Sequence, residues 1–195
     1  MGATFLNDKS GTASKADITR LRILDAAAAI ILGKGVQCLT LDLVAARAEV
    51  SKGGLLYHFK GKDQLIAELL RHTFELFEAN VEKHAEQDAR PGAWLRGYIL
   101  ASFPTEGQQN VNAAATAASL IASLGQLPYL SAIYAEYASR WQRRLQNDHV
   151  DPDLAMLVRM AVDGLWMSEG MKLDNLDDKQ KQRILQRLLR LTEEA

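Results

Sequence analysis

The stretch "SKGGLLYHFKGKDQL", residues 51–65, decides the fold. Two adjacent glycines, Gly53 and Gly54, stand where a helix should begin, and each costs roughly 1 kcal/mol against alanine in a helix interior. Tyr57 and His58 follow, and Lys60 and Lys62 flank a third glycine, Gly61. Ser51 is a good helix N-cap, so a short helix is expected over 52–59, broken by Gly61. Just upstream, Thr40 is an N-cap for another short helix, "LDLVAARA", and Glu49 and Val50 form the turn between the two.

Two short helices joined by a tight turn within about 20 residues make a helix-turn-helix. In that arrangement the second helix enters the DNA major groove N-terminus first. The odd composition then has a use. Bare glycines let the backbone approach nucleic acid closely, and the helix N-terminus favours phosphate. Lys52, Lys60 and Lys62 can neutralise phosphates, while Tyr57 and His58 can bond to sugar-phosphate or base edges. Leu55 or Leu56 could touch a thymine methyl. Leu56 and Phe59, three residues apart, are expected to face inward as anchors.

Residues 18–69 resemble the N-terminal domain of the TetR family of bacterial transcriptional regulators. The residues that carry the resemblance are Thr40, Val44-Ala45, Val50-Ser51-Lys52-Gly53-Gly54-Leu55, Tyr57-His58-Phe59, Lys62 and Leu65. It implies DNA contacts at Thr40, Ser51, Lys52, Gly53, Tyr57, His58 and Lys62. Gly54 and Lys60 join this set from the reading of the helix itself. Leu56 stands where the family usually has a tyrosine, and Glu49 where its turn usually has glycine. Glu49 is therefore expected in a left-handed conformation, at a cost of about 1 kcal/mol, and pointing away from DNA.

The rest of the chain reads as more helices, about nine in all, so the expected class is all-α. A first helix from about Asp17 to Leu32 buries Leu21, Leu24, Ala28 and Ile31 and stops at "GKG", 33–35. A long fourth helix runs from near Lys62 toward Asp88. Pro91 suits the first turn of a fifth, "AAATAASLIASLG" is a sixth, Pro128 opens a seventh, and 153–172 and 178–193 are the last two. The expected organisation is a flexible arm over 1–15, a helix-turn-helix domain over 16–61, and an effector-binding and dimerisation domain over 62–195.

Charge supports a division of labour. Residues 1–62 carry nine Lys/Arg and five Asp/Glu; the remainder carries 14 and 19, and the whole chain is at -1. A basic front suits a polyanionic partner. In the C-terminal region Trp94, Tyr98, Phe103, Tyr134, Tyr137, Trp141, Met160, Trp166 and Met167 are candidates to line an effector pocket for an apolar or amphipathic small molecule. Arg96, Arg159, Asp163 and Glu169 are possible polar orienters, more simply read as surface or interface charges. Two apolar C-terminal helices, with Gly164 allowing a close crossing, fit a homodimer interface.

Other chemistry is not indicated. Cys38, the single cysteine, excludes an internal disulfide and reads as a buried thiol. Glu68 and His72 lie four apart but read as a surface ion pair, and no metal or cofactor is expected. No nucleophile-elbow, Walker or dinucleotide motif occurs, so an enzyme is disfavoured. No apolar run reaches the ~18 residues of a membrane span, and a cytoplasmic location is expected. The reading is a ligand-responsive repressor that binds a partly palindromic operator. The alternative is a helical ligand-binding or adaptor protein whose N-terminal domain contacts protein.

Overall fold

The computed structural model describes residues 14–103, 111–170, 173 and 176–193. Among them lie nine α-helices, one short 3-10 turn (Val36–Cys38) and no strand. The helices are α1 Lys15–Lys34, α2 Leu41–Arg47, α3 Lys52–His58, α4 Lys62–Ala85, α5 Ala93–Ser102, α6 Val111–Ile121, α7 Tyr129–Gln146, α8 Pro152–Gly170 and α9 Asp178–Leu191. The chain is all-α, as its sequence pattern indicates. Most of the expected arm and the "PTEGQQN" loop fall outside the described residues.

Local chemistry sets the boundaries. α1 starts two residues before Asp17 because Ser14 is its cap. Asp17 N–H donates to Ser14 Oγ at 3.2 Å, and Ser14 N–H donates to the Asp17 carboxylate at 3.1 Å. This reciprocal box satisfies two helix-start donors at once. Gly35, at φ 85°, closes the other end and donates its N–H to Ile31 O at 2.8 Å. Pro91 does not enter α5. Gly92, at φ 80°, stands between them, and a Cβ there would lie 2.8 Å from Val150 Cγ1. α4 ends at Ala85 and α9 at Leu191, each short of its expected end.

Two compact units are formed, and they do not divide at residue 61. One comprises Met1–Phe74 with Glu106–Ile133; the other comprises Glu75–Thr105 with Tyr134–Ala195. The first unit therefore includes α6, which packs against α1. Ala113, Thr116, Ala117 and Leu120 of α6 are buried, as are Ile23, Leu24, Ala27, Ala28 and Ile31 of α1. Small side chains on both helices permit a close approach and leave few voids. Leu39, Val44, Leu55, Phe59, Leu65 and Leu69 complete this core, each fully buried. On its surface Glu68 accepts from Arg20 at 2.5 Å and from Arg71 at 3.1 Å, a pairing other than the expected one with His72.

In the second unit α5 packs against α8 and α9. Gly97 marks a tight crossing with α4, since a Cβ there would lie 2.6 Å from Val81 O. The end of α9 is clasped to the α4–α5 turn. Asp88 accepts from Arg96 Nε at 2.6 Å and from Arg90 at 2.9 Å, and Arg90 reaches Glu193 at 2.9 Å. The bonds from Arg90, then Arg96, hold the Asp88 carboxyl well below the usual carboxylate range.

Candidate nucleic-acid interface

α2 and α3 are positioned by two hydroxyl caps and one strained turn. Leu43 N–H donates to Thr40 Oγ1 at 3.3 Å, and Gly54 N–H donates to Ser51 Oγ at 3.0 Å. Between the helices Glu49 takes φ 52°, the left-handed conformation expected from its place in the turn. Its carboxylate is exposed and lies 3.7 Å from Arg22 Nη2. The same guanidinium donates to Ala48 O at 2.5 Å, which ties the turn to α1.

The inward anchors of α3 are Leu55 and Phe59, both 0% exposed, and not Leu56 and Phe59. The packing of α3 against its neighbours turns Leu55 inward and leaves Leu56 half-buried. Leu55 is thereby withdrawn from any thymine contact. Arg20 lies over the Phe59 ring, 5.5 Å from its centroid, in a cation–π contact.

The outward face collects the remaining predicted residues. Thr40, Ser51, Lys52, Gly53 and Lys60 are exposed, Gly54, His58 and Lys62 are half-buried, and Tyr57 is 75% exposed. A Cβ added at Gly53 would meet nothing within 4 Å, so its absence is not required by internal packing. The Tyr57 and His58 rings meet edge-on, with centroids 5.2 Å apart. Lys60 N–H donates to Gln64 Oε1 at 2.6 Å, fixing the bend into α4. One residue of this surface escaped the sequence reading. Asp42, in the first turn of α2, lies 3.0 Å from Lys52 Nζ. Nothing in the linear pattern links residues ten apart on two different helices.

Cys38 corrects another expectation, because it is exposed, in the 3-10 turn. Among the described residues no group of three or more His, Cys, Asp or Glu is placed to hold a metal ion.

In the second unit Trp94, Tyr98, Tyr137 and Trp141 form one aromatic cluster, joined by Phe77, which the predicted set omits. Phe77 lies 5.1 Å from Tyr98 and 5.3 Å from Trp141, centroid to centroid. The indole N–H of Trp141 donates to Glu78 at 2.9 Å, and that of Trp94 to Glu82 at 3.1 Å. Tyr98 O–H donates to Asp163 Oδ1 at 2.5 Å, and Arg159 Nε lies 3.5 Å from Asp163 Oδ2. Burial pushes the Asp163 carboxyl up, against the opposing pull of Tyr98 and Arg159. Arg159 and Arg96 are thus buried polar anchors, not surface charges. Tyr134, Phe103, Trp166 and Met167 are half-buried. Met160 is 66% exposed, unlike the buried Trp94, Tyr98, Tyr137 and Trp141. A cleft of about 560 Å³ does open here, lined by His84, Asp88, Arg90, Arg96, Leu100 and Leu189 among others, outside the expected aromatic set.

A capped, lysine-bracketed second helix on a short first helix defines a helix-turn-helix DNA-binding protein. Residues 23–69 match "Bacterial regulatory proteins, tetR family", and residues 92–193 match "Tetracyclin repressor-like, C-terminal domain". The chain belongs to the TetR family, whose members are DNA-binding transcriptional regulators and not enzymes. It is 40% identical over 68 residues to the HTH-type transcriptional regulator SrpR of Pseudomonas putida, covering 33% of this chain and 32% of SrpR. The chain thus spans about a third of the length of that relative. It is 25% identical over 165 residues to the HTH-type transcriptional repressor KstR2 of Mycolicibacterium smegmatis, covering 80% of each. The solved structure of the multidrug binding protein EbrR complexed with ethidium aligns with a TM-score of 0.64 at 25% identity, covering 87% of this chain and 98% of that one. Among the described residues no helix is long and apolar enough to cross a membrane.

Proposed function

We propose that the chain is a cytoplasmic repressor that binds a partly palindromic operator as a homodimer and is released by a small-molecule effector. The observation that carries this reading is the outward face of α3. It is bare at Gly53, capped by Ser51 and bracketed by Lys52, Lys60 and Lys62, with nothing in the fold that needs the missing side chain. Thr40, Ser51, Tyr57, His58, Lys60 and Lys62 hold phosphates, and Lys52, Gly53 and Gly54 face the bases. Phosphate contacts set the register while base contacts select sequence.

The second unit supports the other two roles. Leu157 and Met160 are each 66% exposed on α8, one turn apart. An exposed apolar strip on a helix suits a second copy of the chain across a two-fold axis. The effector meets the aromatic cluster, with Tyr98, Asp163 and Arg159 as its polar centre. The ethidium-bound relative makes a planar aromatic cation the first compound to try. Each ligand that weakens DNA binding must itself be weakened by DNA to the same degree.

Binding to a random duplex across a salt series tests the core of this reading. Affinity falls steeply with salt, with a log–log slope of about -0.9 per neutralised phosphate. Failure to bind any duplex at low salt overturns it.

A further inference from the structure

The first turn of α3 holds one long side chain, Lys52, followed by two glycines that have none. Lys52 Nζ lies 3.0 Å from Asp42 Oδ1 and donates to Oδ2 at 3.2 Å, bridging the starts of α2 and α3. Two features make this pair a weak contributor to stability. Its side chains are 57% and 72% exposed, and ion pairs that open to water contribute little. A lysine also sits poorly at a helix N-terminus, whose dipole repels cations. A carboxylate beside a polyanion would, moreover, weaken binding unless donors satisfy it.

We propose that Lys52 and Asp42 act as one unit that reads a G·C base pair, Lys52 donating to guanine and Asp42 accepting from the cytosine amino group. The inference rests on the DNA-binding reading above. An ammonium has three donors, and a carboxylate has about four acceptor sites, so each group keeps capacity after pairing with the other. In the major groove a G·C pair presents the guanine N7 and O6 acceptors and then the cytosine N4 donor. A cation beside an anion is complementary to that order. An A·T pair keeps one acceptor, adenine N7, but puts the N6 donor where guanine offers O6, so the ammonium loses the second of its two acceptors. Asp42 also holds the flexible lysine in one place, which restricts where its donors point. The open space over Gly53 gives the base edge room to reach both groups.

The test is a binding selection from a random duplex library at fixed salt, using the full chain and the variants Lys52→Ala, Asp42→Ala, Asp42→Asn and Lys52→Ala with Asp42→Ala. The wild type selects G·C at one position of each half-site. Each single alanine variant relaxes that same position by about tenfold or more, Asp42→Asn relaxes it less because its amide oxygen still accepts from cytosine, and the double alanine variant relaxes it no further. The Asp42 variants simultaneously bind random duplex more tightly, because a negative charge has left the interface. Retention of the G·C preference in Asp42→Ala at the position Lys52→Ala loses overturns the inference while leaving the DNA-binding reading intact. So does the absence of any G·C preference there in the wild type. A wild-type chain that binds no duplex at low salt sinks both.

Discussion

Gly53 separates what the fold needs from what the ligand needs. A methyl group there meets no atom of the protein within 4 Å. Gly53→Ala therefore raises stability by up to ~1 kcal/mol through helix propensity, read as a melting temperature about 2–4 °C higher. In the proposed complex the same methyl stands between the helix and the duplex, so affinity for DNA falls by about tenfold, the worth of one contact to a charged group. A variant that gains stability and keeps its affinity would show that the glycine serves neither purpose. Much at this scale was legible in sequence. Thr40 and Ser51 announce themselves as caps because their side-chain oxygens compete for backbone N–H groups over a span of three residues. Leu55 was not legible as the anchor. In "LLYHF" either leucine fits a three- or four-residue step to the buried Phe59, and only the packing of α3 against its neighbours selects one. Cys38 escaped for a related reason, since a 3-10 turn has no long apolar face from which burial can be inferred.

At the scale of the helices, α4 carries the clearest titration. Burial first, and the nearby Arg20 second, hold His72 below its ordinary value of 6.5. The folded chain thus keeps this imidazole neutral where the unfolded chain would protonate it. The unfolded state binds more protons below that value, so stability is full above pH 6.5 and declines as pH falls toward the folded value. Melting curves from about pH 7.5 to about pH 5.5 should show this loss, and His72→Gln should shrink it by about 1–3 °C. An equal loss in both proteins would place the acid sensitivity elsewhere. His84, also depressed by burial, works in the same direction. Asp163, Asp148 and Glu78 are raised by burial and work in the opposite one, at lower pH. Spacing alone read His72 as the surface partner of Glu68 on one stripe of α4. It could not report how completely that stripe is covered, because the covering residues come from distant parts of the chain.

For the whole molecule, the proposed dimer gives the sharpest outcome. Leu157→Glu with Met160→Glu puts two like charges on the exposed strip of α8 without disturbing a core residue. The expected species in analytical ultracentrifugation is a monomer whose operator affinity is lower by about 100-fold or more, the loss of tethering two binding modules. A persistent dimer would place the interface on another surface. The number and order of the helices could be read from sequence, since caps and apolar steps are local. The membership of α6 in the first unit could not, because "AAATAASLI" is compatible with any closely packed neighbour. That membership has a temporal consequence. On a ribosome adding about 5–20 residues per second, α6 emerges roughly 80 residues after α1, a delay on the order of ten seconds. Throughout that interval the nascent α1 shows an uncovered face of alanine, leucine and isoleucine, which makes it a client for whatever chaperone waits at the exit tunnel.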